Sequence, residues 1–187
     1  LKNFPETFNS INIMLYEKSE KLKKIQKKRI ISQKVSWIEN LKKIKKGPVI
    51  FFGNEFFDAI PIKQFRLNNK EFLEKCYLIN KKGLIETYKK ALPRDISFIN
   101  SFDILKNQNF VEYPKLGFHE LNKIVKKVSK LSGGILLIDY GYLNIVKRST
   151  LQTVMKNKKM DMDSLFKNLG RADITSLVNF SLLKEYF

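Results

Sequence analysis

Apolar positions in this chain gather in short runs that alternate with stretches of helical spacing. Ile11-Asn12-Ile13-Met14-Leu15-Tyr16 predicts a buried strand, closed by Glu17. Ser19 then stands as an N-cap, with a helix expected over 20–28. Leu22 and Ile25 share one face of that helix, and lysines flank them, so it reads as amphipathic with a basic outer side. Val35-Ser36-Trp37-Ile38 predicts a second short strand, with a helical or turn segment before Gly47. Pro48-Val49-Ile50-Phe51-Phe52, bounded by Gly47 and Gly53, predicts a fully buried strand.

The middle of the chain changes character. Residues 62–67 read as extended, and 72–79 with 84–88 flank Lys81-Lys82-Gly83, the pattern of a hairpin. Residues 93–108 are ambiguous, and 111–114 read as a loop or an extended segment. Leu121, Ile124, Val125 and Val128 fall at helical spacing within 116–131, and Gly133-Gly134 is expected to end that helix. Ile135-Leu136-Leu137-Ile138 predicts another buried strand, tipped by Asp139. Residues 150–154 read as extended, 161–168 as loop or short helix, and 174–180 as extended or the start of a last helix. Strands alternating with helices argue for an α/β fold with a mainly parallel sheet. No repeat or linker separates a second domain, so 1–187 reads as one domain with an insertion at about 66–114.

Several of the strands end in polar groups: Glu17, then Asn54-Glu55 with Asp58, then Asp139. In open α/β sheets ligands bind outside the carboxyl ends of the strands, which makes these residues site candidates. Each keeps a structural alternative. From spacing Glu17 also reads as a solvated acid before a helix, Asp58 as a cap for its turn with Glu55 structural, and Asp139 equally as a cap for the Tyr140-Gly141 turn. Gly141 is read as a conformational glycine, and Phe56 and Phe57 as packing groups. Trp37 is assigned to core or surface rather than to adenine stacking. His119 has no partner histidine or cysteine and reads as a surface or capping group, so no metal site is expected.

Composition narrows the field. With 187 residues and 43% hydrophobic content the chain is long and apolar enough for a core. No apolar run reaches membrane-spanning length, and no cleavable signal is visible. Cys76 is the only cysteine, which excludes an internal disulfide and suits a reducing compartment. The formal charge of +18 comes from lysines scattered over helices and loops, a pattern of a solvated surface, and a nucleic-acid partner is not expected.

With these segments placed, the sequence resembles the MidA family of S-adenosylmethionine-dependent methyltransferases, which includes the mitochondrial assembly factor that methylates an arginine on a complex I subunit. Four motifs carry the resemblance. They are Tyr16-Glu17-Lys18-Ser19 with Leu22 and Gln26; Asn54 to Pro61 with Gln64-Phe65; Gly133-Gly134 with Ile138-Asp139-Tyr140-Gly141; and Thr150-Leu151-Gln152 with Ala172-Asp173-Ile174-Thr175 and Val178-Asn179-Phe180. The chain departs from the family pattern at Asn157, where members often have His, and at Asn179, where they often have Asp. None of its eight glycines forms the glycine-rich loop with which the family opens, and it starts at Leu1 and stops at Phe187. It therefore reads as an internal piece of a longer enzyme, inactive alone.

The resemblance implies an incomplete Rossmann-like class I methyltransferase fold with S-adenosyl-L-methionine as cofactor. Glu17 would accept the ribose hydroxyls. Asn54 would touch the cofactor's amino-acid end or orient the substrate. Glu55 and Asp58 would grip a guanidinium as the catalytic pair, with Asp139, Tyr140, Asp173 and Thr175 on the substrate side. The implied partner is a protein substrate such as a respiratory complex I subunit, in the cytoplasm of a bacterium or the mitochondrial matrix of a eukaryote. The alternative is a non-catalytic protein-binding or assembly module built on the same fold.

Overall fold

The computed structural model describes residues 3–81, 83–106, 108–155, 158–160 and 170–187. Lys82 of the expected hairpin turn, Asn157, and the expected loop or short helix at 161–168 lie outside the described residues. In chain order the elements are α1 (Pro5–Ser10), β1 (Ile13–Tyr16), α2 (Glu20–Arg29), β2 (Val35–Ile38), β3 (Ile50–Asn54), β4 (Lys63–Asn68), β5 (Glu71–Asn80), β6 (Gly83–Lys90), α3 (Pro93–Asn100), β7 (Phe110–Tyr113), α4 (Lys115–Lys130), β8 (Gly134–Ile138), β9 (Gly141–Tyr142), β10 (Gln152–Met155), β11 (Lys158–Met160), β12 (Asp173–Thr175), β13 (Val178–Asn179) and α5 (Phe180–Tyr186). They fall into two compact units, Leu1–Ile50 with Lys123–Gly134, and Phe51–Asn122 with Ile135–Phe187.

In the first unit β1 and β2 pair in parallel from Ile13 opposite Val35 to Tyr16 opposite Ile38. Ser19 caps α2, its hydroxyl accepting the Leu22 N–H at 3.3 Å, as the sequence predicts. The amphipathic reading of α2 is corrected. Leu22 and Ile25 are exposed, and the buried residue is Lys23. Its ammonium reaches Glu39 at 2.5 Å and Glu20 at 3.2 Å, so an ion-pair network takes the inward place that the apolar spacing suggested. Ile38, Leu41, Ile44, Ile124 and Val128 are buried in this unit. The left-handed residue after α4 is Ser132 (φ 54°), not a glycine. Gly133 serves a close approach instead, since a Cβ there would collide with the Val49 carbonyl.

The second unit is built on a four-stranded antiparallel sheet ordered β6-β5-β4-β7. The predicted hairpin is present, with β5 and β6 paired from Leu73 opposite Lys90 to Asn80 opposite Gly83. Over this sheet lies an aromatic core of Phe65, Phe102, Tyr113 and Phe118 with Ile99, Leu105, Val111 and Leu182. Phe98 stacks on Tyr113 at 4.4 Å and Phe118 packs on Tyr186 at 4.3 Å, joining α3, β7, α4 and α5. The ambiguous 93–108 stretch thus contains α3, started by Pro93 in the first turn, where proline fits.

The sheets are mixed, which corrects the expectation of a mainly parallel sheet. Parallel pairing holds for β1–β2 and β9–β13, while the four-stranded sheet and the three-stranded β11-β10-β12 are antiparallel. For β4, β5 and β6 the cause is the short connections between 63 and 90, which can join only antiparallel neighbours. The runs at β3 and β8 pair with each other but are not fully buried. Ile50, Phe52, Leu136 and Ile138 are half or more exposed, and only the alternate positions are packed. A continuous apolar run does not distinguish one covered face from two.

Candidate active site

The site in the second unit begins where β3 ends. Glu55 takes a left-handed conformation (φ 52°), which stops the strand, and its N–H donates to the Ile138 carbonyl at 2.8 Å. The turn that follows is held by Asp139. Its Oδ2 accepts the Phe57 N–H at 2.7 Å and the Asp58 N–H at 3.4 Å, and its Oδ1 accepts the Tyr140 N–H at 2.9 Å. Phe57 is buried and sets its ring edge-on to Phe56 at 5.1 Å, so both aromatics pack as the sequence suggests. Across the site, the Asp58 carbonyl accepts the Ser176 N–H at 3.0 Å, and the Tyr140 carbonyl accepts the Val178 N–H at 2.8 Å. Gly141 is required for approach rather than conformation, because a Cβ would strike the Val178 carbonyl and the Phe180 ring.

Asp58 is the electrostatic centre of this arrangement. Burial pushes its carboxyl above the usual range, and the charges of Asp139, Glu55 and Asp173 push it further, against a hydrogen bond from the Ala59 N–H. Its Oδ1 is buried without a hydrogen-bond partner among the described residues. A half-buried carboxylate with an unmet oxygen among three other carboxylates calls for a cationic, hydrogen-bond-donating ligand.

Beside this cluster lies a buried polar network that the sequence reading missed. Glu112 on β7 stands opposite Gln64 on β4. Glu112 Oε1 accepts the Gln64 amide at 2.6 Å and the Thr150 N–H at 2.9 Å, while Oε2 accepts the Thr150 hydroxyl at 2.6 Å. A cavity of about 20 Å³, room for one water, is lined by Glu112, Tyr142, Ser176 and Asn179 among others. Burial and the Glu112 charge push the Tyr142 hydroxyl up to about 12. Asn179 also caps α5, its Oδ1 accepting the Leu182 N–H at 3.0 Å. The available signal was a lone acid in the Val111–Tyr113 run, where alternation alone could not say which side is buried.

The second candidate site lies in the first unit, at the tip of β1. Glu17 is half-buried and both its oxygens are engaged, Oε1 by the Ser19 N–H at 2.7 Å and Oε2 by the Gln26 amide at 3.1 Å. The Trp37 indole N–H in turn donates to Gln26 Oε1 at 2.9 Å, which orients that amide. Trp37 is therefore neither core filler nor bare surface but a support for Glu17. A carboxylate offers about four acceptor positions, so two remain for a vicinal diol, and the residues present fit the ribose of S-adenosylmethionine.

Glu55, Asp139 and Asp173 thus lie within electrostatic reach of Asp58, while Glu17 belongs to the other unit. Asn54 is exposed at the end of β3, the Tyr140 side chain is exposed, and Thr175 pairs with Gln152 on β10. His119 is exposed on α4. Among the described residues no group of His, Cys, Asp and Glu could hold a metal ion, and no helix is long and apolar enough to cross a membrane.

Comparison with known proteins adds to this geometry. A family model described as "Putative S-adenosyl-L-methionine-dependent methyltransferase" matches residues 1–187. The chain is 26% identical over 162 residues to the mitochondrial protein arginine methyltransferase NDUFAF7 homolog of Caenorhabditis elegans, covering 80% of this chain and 35% of that protein. It is 22% identical over 209 residues to the mitochondrial protein arginine methyltransferase NDUFAF7 of Xenopus tropicalis, covering 98% of this chain and 47% of that one. The chain therefore spans less than half the length of these two relatives. In fold it is similar to a crystal structure from Burkholderia thailandensis bound to S-adenosyl-homocysteine, with a TM-score of 0.70 and 18% identity, over 94% of this chain and 47% of the other.

Proposed function

The chain belongs to this family of S-adenosyl-L-methionine-dependent methyltransferases, and from that footing we propose that it forms part of a protein arginine methyltransferase. The observation that carries the proposal is Asp58, whose buried oxygen has no partner among the described residues and which feels the charges of Glu55, Asp139 and Asp173. A guanidinium is planar, permanently cationic at pH 7 and rich in donors, which answers that demand. The relatives named as arginine methyltransferases support the same substrate class.

When bound, S-adenosylmethionine supplies a sulfonium methyl group as the electrophile. The work left to the protein is alignment and electrostatics. Asp58 and Glu55 orient the guanidinium bidentately and draw positive charge away from the attacking nitrogen. With the methyl group passing to that nitrogen and the thioether leaving, one proton would leave the nitrogen, and Asp58, whose carboxyl is already biased toward protonation, would accept it. Asp139 holds the turn, and Tyr140, Asp173 and Thr175 border the acceptor. Glu17 holds the ribose, and Asn54 meets the amino-acid end of the cofactor or orients the substrate.

On the same reading the chain is one partial Rossmann-like class I domain with an insertion at about 66–114. Its target is a subunit of respiratory complex I, in the mitochondrial matrix of a eukaryote or the cytoplasm of a bacterium. Mass spectrometry of complex I subunits from cells with and without the full-length gene tests this. Loss of a methylarginine with the gene is expected. Unchanged arginine methylation overturns the reading, and partner capture without methyl transfer favours the assembly-module alternative.

A further inference from the structure

Glu112 is a buried carboxylate whose hydrogen-bond partners among the described residues, Gln64 and Thr150, are both neutral. Burying a charge this way is costly, and an apolar or amide residue would fill the same space at lower cost. What a carboxylate supplies and an amide does not is purely accepting character at both oxygens. That fixes a direction. The Thr150 hydroxyl must spend its one proton on Glu112 Oε2 at 2.6 Å, so it presents only lone pairs elsewhere. The Leu177 N–H donates to that hydroxyl oxygen at 3.1 Å. The neighbouring Ser176 N–H donates to the Asp58 carbonyl at 3.0 Å. The 176–177 segment is thus clamped between Thr150 on one side and the Asp58 turn on the other. Gln64 adds a second anchor, donating to both Glu112 and Ser149 at 2.6 Å.

We propose that Glu112 is a positioning residue: by polarising Thr150 it fixes the 176–177 segment, which in turn holds the Asp58 turn and keeps the carboxylate cluster set for a guanidinium. This deepens the proposed function and rests on reading Asp58 as an acceptor-site carboxylate. It places the control of Asp58 in a buried network of Glu112, Gln64 and Thr150.

The test uses the full-length protein with Thr150→Val, which keeps the shape and removes the hydroxyl, Thr150→Ser, which restores it, and Glu112→Gln. Two readouts are needed. Amide hydrogen exchange reports the clamp at Ser176 and Leu177. Carbon-detected titration of aspartate carboxyls reports Asp58, which faces Asp139, Glu55 and Asp173. In Thr150→Val and Glu112→Gln, exchange at Leu177 should rise about tenfold, as for loss of one buried hydrogen bond. The Asp58 titration should move down toward the ordinary aspartate range as the turn loosens and hydrates. Thr150→Ser should restore both. If Leu177 exchange rises while the Asp58 titration stays at its wild-type value, the network is a core tie only and the proposal fails. It fails too if Thr150→Ser behaves like Thr150→Val. Should Glu112→Gln not fold, the Thr150 pair decides alone. A wild-type protein that methylates no arginine would retire the proposed function, and the titration would still judge the positioning role.

Discussion

Asp139 and Phe57, 82 positions apart in sequence, are joined by a 2.7 Å hydrogen bond from the Phe57 N–H to Asp139 Oδ2. With the Tyr140 N–H on Oδ1, both carboxylate oxygens are committed to backbone. Of the two readings the sequence left open, Asp139 does cap the Tyr140 turn, and the same group charges the Asp58 cluster. Asp139→Ala removes charge-assisted bonds on two segments at once. It should cost about 2–3 kcal/mol in denaturant unfolding of the full-length protein. Asp139→Asn, with one oxygen left to accept, should cost less.

The raised proton affinity of Asp58 gives stability a definite pH dependence. The folded protein holds that proton more tightly than the unfolded chain, so ionisation opposes folding. The penalty is absent well below the ordinary aspartate value of about 3.9, grows as pH rises through it, and levels off above the folded value. Asp58→Asn should remove the penalty and raise the melting temperature at pH 7 relative to wild type. It should also abolish methyl transfer. Scans between pH 4 and pH 8 that show the same stability difference throughout would contradict this.

Much of the frame is readable because local rules suffice there. Ser19 caps α2, two apolar-rich segments either side of a polar turn ending at Gly83 give the β5–β6 hairpin, and Leu121, Ile124 and Val128 mark the buried side of α4. The acids at strand ends are equally local, and Glu55 and Asp139 do act on the charge of Asp58. Other features depend on what faces them from far along the chain. Lys23 is buried rather than Leu22 because Glu39 waits there, and Gly133 is small because Val49 passes beside it. Glu112 is buried only because Gln64 and Thr150 arrive with donors. Spacing within one segment carries no trace of such partners.

Asp95 offers a test of the second unit's integrity. It is fully buried, and burial alone would raise its carboxyl. Lys63 at 2.7 Å, Tyr113 at 2.6 Å and Lys115 at 3.0 Å overcome that and hold it well below the usual range. Its contribution is present above the unfolded aspartate value and is lost only as pH falls through the depressed folded value. Asp95→Ala leaves Tyr113 and Lys115 without this acceptor, while Lys63 keeps Glu74 at 3.0 Å. A loss of about 3 kcal/mol is expected by urea unfolding. A cost under about 1 kcal/mol would mean the cluster is no more than a surface ion pair.

The Glu17 network makes the cofactor side equally open to test. Ser19 and Gln26 hold the carboxylate in one orientation, and Trp37 keeps the Gln26 amide from turning its oxygen toward Glu17. Glu17→Ala removes the proposed ribose acceptor itself. It should weaken S-adenosylhomocysteine binding to the full-length protein by roughly 10–100-fold in calorimetry, the equivalent of losing a charge-assisted hydrogen bond or two. Trp37→Phe keeps the ring and deletes the indole N–H, so Gln26 is free to flip and the affinity should fall severalfold. Wild-type affinity in Glu17→Ala would move the ribose site elsewhere and leave the network a helix-capping device.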